Sequence, residues 1–303
     1  MKTSLLPALL RTGLLLAGVA PASAVLLYEP FNYTPVGANL TGLSPDGTNV
    51  WGQAGPTNEP DHITIGSGSL SIDGLAPSIG NSIAYGGAGF TGRIPIASII
   101  NTGTVYYSFA LRVTDVGALL TTGGWIAGFN NSTNAVPPQT THPSQIGTRL
   151  VAKAVTGGFQ IGLDKSSGLI GSFLYDNTVF NVGDTIFVVG SYTFNSGSTS
   201  DDESRMWINP APSTFGLPVA PSTTLISSTG TDLGGTTVGA QQLQSFLFRQ
   251  NATLVPTGVI ADELRIDTTW AGVTPVVPEP STLTLLSFAA GSALLTRRRN
   301  GRR

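Results

Sequence analysis

Two acidic runs are the first places to look for chemistry. A retaining glycosidase needs two carboxylates about 5 Å apart, one as nucleophile and one as acid. On a strand that spacing requires acidic residues at i and i+2 or i+4, where side chains share a face. Asp262 and Glu263 are adjacent, so they point to opposite faces, and Glu263 shares its face with Arg265, its expected partner. Asp201, Asp202 and Glu203 follow the polar stretch 195–200 and place carboxylates beside loop carbonyls. That hard-oxygen donor set suits Ca²⁺, and a charged turn in water is the competing reading. His62 and His142 are the only histidines, and no Gly-x-Ser-x-Gly elbow accompanies them. The four tryptophans, Trp51, Trp125, Trp207 and Trp270, are candidates for stacking on sugar faces, Trp51 first because it lies near a Gly-rich loop, and core packing is the competing reading for all four. The chain has no Cys, which excludes disulfides, thiolate metal sites and cysteine nucleophiles. With no recognisable nucleophile or acid pair, the expectation is a protein that is not an enzyme.

The ends of the chain carry a different message. Lys2 and Arg11 precede the apolar run Leu14–Ala20, and Ala22-Ser23-Ala24 is a small-x-small site. Residues 1–24 therefore read as a secretory signal peptide, with the mature chain starting near Val25. Residues 276–303 hold Pro278-Glu279-Pro280-Ser281, then an uncharged run from Thr282 to Leu295, then Arg297-Arg298-Arg299. The run of about 14 residues spans roughly 21 Å as a helix. That is short for a hydrocarbon core of about 30 Å, a mismatch that snorkelling arginines relieve. Arginines in this position act as a cytoplasmic stop-transfer signal. The expectation is a single hydrophobic helix serving as a transient anchor in the inner membrane.

These three parts, in order at the terminus, resemble the PEP-CTERM sorting signal of Gram-negative, polysaccharide-producing bacteria. The resemblance implies that an exosortase-like membrane transpeptidase recognises Pro278, Glu279, Pro280 and Ser281, cleaves nearby and delivers the chain to the cell surface or extracellular space.

Charge supports a soluble exported body. The whole chain has 15 basic and 17 acidic residues. Removing Lys2, Arg11 and the five terminal arginines leaves 8 basic residues against 17 acidic, a formal charge of −9 for residues 25–280. An acidic protein is repelled by phosphate backbones, so no nucleic-acid partner is expected. About 250 residues can bury one large core without disulfides.

That body reads as strands. Residues 104–113 alternate strictly, with Val105, Tyr107, Phe109, Leu111 and Val113 on one face and Tyr106, Ser108, Ala110 and Arg112 on the other. Residues 186–194 carry bulk on both faces, as in a central strand. Further strands are expected at 62–65 and 70–72 (a hairpin about Gly66-Ser67-Gly68), 124–129, 149–155 and 159–163 (a hairpin), 169–175, 205–209, 245–249 and 259–266. Helical periodicity is absent from 25–273, and 210–242 reads as a long Pro/Ser/Thr/Gly-rich loop. So many strands require two packed antiparallel sheets or a barrel.

Three segments of this body also resemble the concanavalin A-like, laminin-G-like jelly rolls. Ile260–Asp267 is similar to their closing strand, Leu27–Tyr33 to the opening strand that returns beside it, and Asp202–Pro210 to an internal strand ending in Trp-Ile-Asn-Pro. The E-x-D-x-x-E run of the jelly-roll glycanases is missing. The resemblance implies an all-β, two-sheet antiparallel jelly-roll sandwich over residues 25–275. The functional expectation is a secreted, non-catalytic component of the surface or exopolysaccharide matrix that binds glycan weakly. A Ca²⁺-dependent lectin and a glycan hydrolase or lyase are the alternatives.

Overall fold

Val105, Tyr107, Phe109, Leu111 and Val113 all face inward in the computed structural model, and each is fully buried. Their alternation continues over the whole of β6, and the other strands assemble around it. The structure describes residues 25–55, 62–132, 145–166, 173–234 and 241–277. Residues 1–24, expected as a signal peptide, the Pro278–Ser281 motif, the apolar run and Arg297–Arg299 lie outside the described residues. Among those described, no helix is long and apolar enough to cross a membrane.

In chain order the strands are β1 Leu27–Glu29, β2 Gly52–Ala54, β3 Thr64–Gly66, β4 Ser82–Tyr85, β5 Thr91–Ile100, β6 Gly103–Asp115, β7 Gly124–Asn130 and β8 Ile146–Val155. They continue as β9 Gly158–Asp164, β10 Leu174–Tyr175, β11 Thr185–Phe194, β12 Glu203–Ile208, β13 Leu225–Ser227, β14 Leu243–Phe248 and β15 Gly258–Asp267. A single four-residue turn of helix, α1, follows at Trp270–Val273, capped by the Thr269 side chain. Sheet one runs β13-β12-β11-β6-β15-β4-β3, with β1 added beside β15. Sheet two runs β10-β9-β8-β7-β14-β5-β2. Every pairing within these sheets is antiparallel. The two-sheet jelly-roll sandwich expected from the sequence is the fold observed.

The core lies between the sheets. Sheet one contributes Phe109 and Tyr107, sheet two contributes Phe129, Phe246 and Phe248, and their rings meet edge-to-face at centroid distances of 5.0–6.1 Å. Edge-to-face contacts of this kind add to the stabilisation from apolar burial. The outer face of sheet one carries a second apolar layer in which Phe187, Val189 and Trp207 pack under Phe215, Trp270 and Val273. The segment after β12 and the chain after β15 therefore cover that face. Pro275 is held there by its carbonyl, which accepts from Ala76, and Thr274 by its carbonyl, which accepts from Gly216.

Three strand expectations are corrected. Residues 70–72 form no strand, and β3 pairs instead with β4, which the sequence reading missed. The Leu70 amide donates to the Asp262 carboxylate at 2.7 Å, a side-chain partner that takes the place of a ladder bond. The ten residues of β5 were also missed. Within the expected loop 210–242 the described residues include β13 and a 3₁₀ turn at Pro212–Thr214, and Phe215 and Ala220 cover the outer face of sheet one.

Candidate functional site

The outer face of sheet two gathers cations from β5, from β8 and from the residue that follows β14. Alternation from the inward residues Phe246 and Phe248 of β14 puts Leu247 and Arg249 outward. Leu247 stands opposite Arg93 of β5 on one side and Gly128 of β7 on the other. On β8, the inward residues Leu150 and Ala152 leave Arg149, Val151 and Lys153 outward. Trp125 of β7 faces Val151, which in turn faces Gly162 and then Tyr175 of β10. The result is a layer of Arg93, Arg149, Lys153 and Arg249 among Trp125, Phe173 and Tyr175.

Three of the cations lie over aromatic rings: Arg249 over Trp125 at 4.4 Å, Arg149 over Phe173 at 5.6 Å and Lys153 over Tyr175 at 4.3 Å. Such contacts fix a cation while using few of its hydrogen-bond donors. Arg149 also pairs with Asp164 and donates to the Ser166 carbonyl. Arg249 donates to the Trp125 carbonyl at 3.3 Å, and its Nε has no partner. Arg93 is 1 % exposed. Its Nη1 makes one long contact, 3.4 Å to Asn130 Oδ1, and its Nε and Nη2 have no partner. No carboxylate among the described residues pairs with Arg93 or Arg249. Burial holds the Arg149 guanidinium down at about 10; burial, then the neighbouring charge of Arg149, does the same for Arg249. Burial lowers Arg93 as well. All three stay protonated at neutral pH, so the layer is a concentrated positive field on an acidic protein.

The carboxylates predicted to hold Ca²⁺ are placed differently from one another. Asp201 and Asp202 come together with Asp232, each offering an oxygen within 4.8 Å of the others. Glu203 is not part of that group: strand alternation turns it outward, where it pairs with Arg205. The expectation for Glu203 is corrected on that ground. Both Asp202 oxygens are engaged, Oδ1 by the Asn195 amide and Oδ2 by the Tyr192 hydroxyl, at 2.6 and 2.7 Å. Burial raises the Asp202 carboxyl above its ordinary value. Asp232 Oδ1 accepts from the fully buried Lys165 ammonium at 2.8 Å. The Ser200 and Ser228 carbonyls also accept from Lys165 Nζ, at 3.1 and 3.3 Å. An ammonium thus sits beside the carboxylate cluster, bonded to Asp232, which the sequence reading did not include, and to the Ser200 carbonyl. Asp201 Oδ1 and Asp232 Oδ2 remain as oxygens without a partner that a metal could use.

Trp51 is corrected too. It is 1 % exposed and stacks on Phe248, and its Nε1 donates to Glu29 at 2.6 Å. Glu29, itself buried, also accepts from the Tyr33 hydroxyl and the Phe31 amide. A buried carboxylate with three donors draws the indole inward, so Trp51 offers no face to a sugar. In the remaining acidic pair, Glu263 pairs with Arg265 at 2.9 Å as expected, but the strand does not keep its simple alternation there: the register shifts between Asp262 and Arg265, and Asp262 accepts from the Leu70 and Glu263 amides. His62 bonds Gln53 and stacks on Phe90, and His142 lies outside the described residues.

No protein-family model matches the chain. No curated protein matches it either. Solved structures similar to it include the alginate lyase Aly36B, with 14% identity, a TM-score of 0.49, and coverage of 80% of this chain and 96% of that one. An endo-β-1,4-glucuronan lyase from Trichoderma reesei has 12% identity and a TM-score of 0.40, covering 74% of this chain and 97% of the other. The lectin UEA-II complexed with galactose has 12% identity and a TM-score of 0.38, covering 76% and 96%. Likeness at these identities concerns the fold alone. The expectation that the chain is not an enzyme is corrected: polysaccharide lyases stand among the solved structures similar to it.

Proposed function

We propose that this chain is an exported glycan-binding protein of the cell surface or exopolysaccharide matrix, and that the outer face of sheet two is its binding surface. The observation that carries this reading is the layer in which the half-buried Phe173, Tyr175 and Lys153 flank the buried Trp125, Arg93, Arg149 and Arg249. Aromatic rings and polar donors on one sheet face are what a sugar polymer needs: apolar patches for the sugar faces and directed donors for its oxygens. In the same proposal, residues 1–24 direct export, and Pro278-Glu279-Pro280-Ser281 is read by an exosortase-like membrane protease with Arg297–Arg299 as the stop. The chain up to Pro275 is seated on sheet one, so a tether through residue 277 would leave the face of sheet two turned away from the anchor. The Ca²⁺-dependent alternative is disfavoured by the Lys165 ammonium, whose charge opposes a divalent cation beside Asp232.

The experiment has two readouts on protein recovered from outside its native cells. Its mass is expected to correspond to a chain from about Val25 to near Pro280, and to be lost on combining Pro278→Ala with Glu279→Ala. The same protein is expected to be retarded in native gels containing matrix polysaccharide, with turnover of that polysaccharide followed in parallel. An intact C-terminus through Arg303 in both forms would remove the sorting proposal. Unretarded migration across a broad polysaccharide panel would remove the binding proposal.

A further inference from the structure

From the chain's exit point we infer that the cover on the outer face of sheet one is a membrane-resting surface. Its exposed apolar side chains enter the lipid headgroup layer while the C-terminal run holds the chain in the bilayer. This inference rests on the anchor part of the reading above, and adds a second surface whose partner is a phospholipid bilayer.

Charge is the first ground. Residues 25–280 carry 8 basic and 17 acidic residues, about one in ten. No charged residue lies between Arg205 and Asp232, and none lies between Asp267 and Glu279. The fold lays these two uncharged stretches together: the Gly216 amide donates to the Thr274 carbonyl at 2.9 Å, and Phe215 packs with Trp270 and Val273. A charged group resists entry into a lipid layer because it loses hydration there. A cover without charges meets no such penalty.

Exposed apolar side chains are the second ground. Leu217, Val219, Ile226, Val276 and Val277 are all exposed, Val219 by 73%. Exposed apolar residues scattered singly are ordinary on a soluble protein. These share one face. Val276 packs so close to Gly216 that an added Cβ there would stand 2.9 Å from its Cγ2. Val219 borders a groove with Tyr106 and Arg205. Ile226 stands opposite Arg205, and its neighbour Leu225 packs on the core, so Ile226 points outward. Apolar side chains on a surface without charge are what the headgroup boundary accepts.

Tether length is the third ground. The structure describes the chain up to Val277, and the apolar run begins at Thr282. Even fully extended, the residue steps between them span at most about 18 Å. A body of about 250 residues has a radius of gyration of about 18 Å and is more than twice that across. The tether is too short for the body to turn another face to the bilayer, so the surface around Val277 is the one that meets it.

The test uses the chain exported with its C-terminus intact through Arg303. It has no Cys, so a single introduced cysteine reports one position. Val219→Cys, Ile226→Cys and, on β5 of sheet two, the exposed Ile99→Cys are each labelled with a polarity-sensitive dye. The proteins are reconstituted with vesicles of phosphatidylethanolamine and phosphatidylglycerol that carry spin-labelled lipid, and flotation reports the anchor separately. Floated protein is expected to lose most of its dye fluorescence to the quencher at 219 and 226 and to keep it at 99. High salt is expected to leave this unchanged, because an apolar contact is not screened. Leu217→Glu combined with Val219→Glu is expected to abolish quenching at 226, with flotation and melting temperature unchanged. Floated protein as bright at 219 and 226 as at 99 would overturn the inference and leave the anchor standing. Equal quenching at all three positions, or quenching lost in salt, would overturn it as well, since neither fits an apolar contact on one face. Protein that does not float would remove the anchor, and the inference with it. The comparison of dye positions needs no charge substitution, so it decides the matter even if the double variant fails to fold.

Discussion

The ammonium of Lys165 lies 2.8 Å from Oδ1 of Asp232, and neither side chain has any exposed surface. Lys165 follows β9 of sheet two, whereas Asp232 lies in the segment after β13 of sheet one. The pair therefore clips the two sheets together at one end. Its surroundings contain the Ser200 and Ser228 carbonyls and the Asp202 amide, which donates to the same Asp232 oxygen at 3.0 Å. Removing one partner would leave the other as an uncompensated buried charge, which costs about 3–5 kcal/mol. Lys165→Met and Asp232→Asn are each expected to lower unfolding free energy by roughly that amount. Lys165→Met combined with Asp232→Leu is expected to recover part of the loss, as denaturant titration of the four-member cycle will measure. A single-variant loss below about 1 kcal/mol would mean the pair is not the clip described.

The same clip predicts the response to calcium. Lys165 already supplies a positive charge to Asp232 and to two loop carbonyls. Millimolar Ca²⁺ or a chelator is expected to leave the melting temperature of the wild-type chain unchanged. A rise of several degrees with Ca²⁺ would show that Asp201, Asp202 and Asp232 take a metal alongside the lysine, since a ligand that binds only the folded state must stabilise it.

Trp51 should behave as a core residue. Trp51→Ala removes its stack on Phe248 and leaves Glu29 with one donor fewer. The expected destabilisation is about 3–5 kcal/mol. The folded fraction should bind polysaccharide as wild type does. Weakened glycan binding at unchanged stability would restore Trp51 as a contact residue.

Stability should fall as pH rises through the neutral range. Burial pushes the Asp262 carboxyl up to about 8, and the Glu263 and Glu29 charges add to this. The amides of Leu70 and Glu263 act in the opposite direction. Between about pH 4, the unfolded value, and about pH 8, the folded state holds a proton that the unfolded state has released. The unfolded state binds fewer protons over that window, so the unfolding free energy declines as pH increases. The slope from this one group reaches at most about 1.4 kcal/mol per pH unit. Burial raises Glu29 and Asp202 in the same direction. Asp262→Asn is expected to flatten the profile between pH 4 and 8, measured by denaturant midpoints. An unchanged slope would assign the dependence to other groups.

Much of the fold could be read from local pattern, because β6 and β11 obey the two-residue period and β15 carries its motif intact. β5 could not. Gly92 and Pro95 interrupt its apolar run, and Pro is ordinarily a mark against a strand. The register of β5 against β14 shifts between Leu243 and Ser245, next to the Ser245–Pro95 pair. Missing β5 hid Arg93, the residue with the most unused donors. The rest of the cation layer was equally hidden. Residues 93, 149, 153 and 249 have no common spacing and meet only once β5, β14, β7 and β8 are placed side by side. One signal was available: after the terminal segments are set aside, the few remaining basic residues invite the question of where they gather. The carboxylate cluster failed similarly, since its third member, Asp232, is 30 residues from Asp202 and its cation comes from another sheet. Trp51 misled because proximity to glycine suggested exposure, whereas the distant Glu29 decides where its indole goes.

The central claim is that glycan meets the outer face of sheet two. Amide hydrogen exchange with and without matrix polysaccharide tests it directly, because each strand reports separately. The account predicts slowed exchange confined to β5, β7, β8, β9 and β14, around Arg93, Trp125, Arg149 and Arg249. The contrary result is protection on sheet one in the groove bordered by Tyr106, Arg205, Trp207 and Pro218–Pro221, with sheet two unchanged. That outcome would move the binding surface to the opposite side of the sandwich.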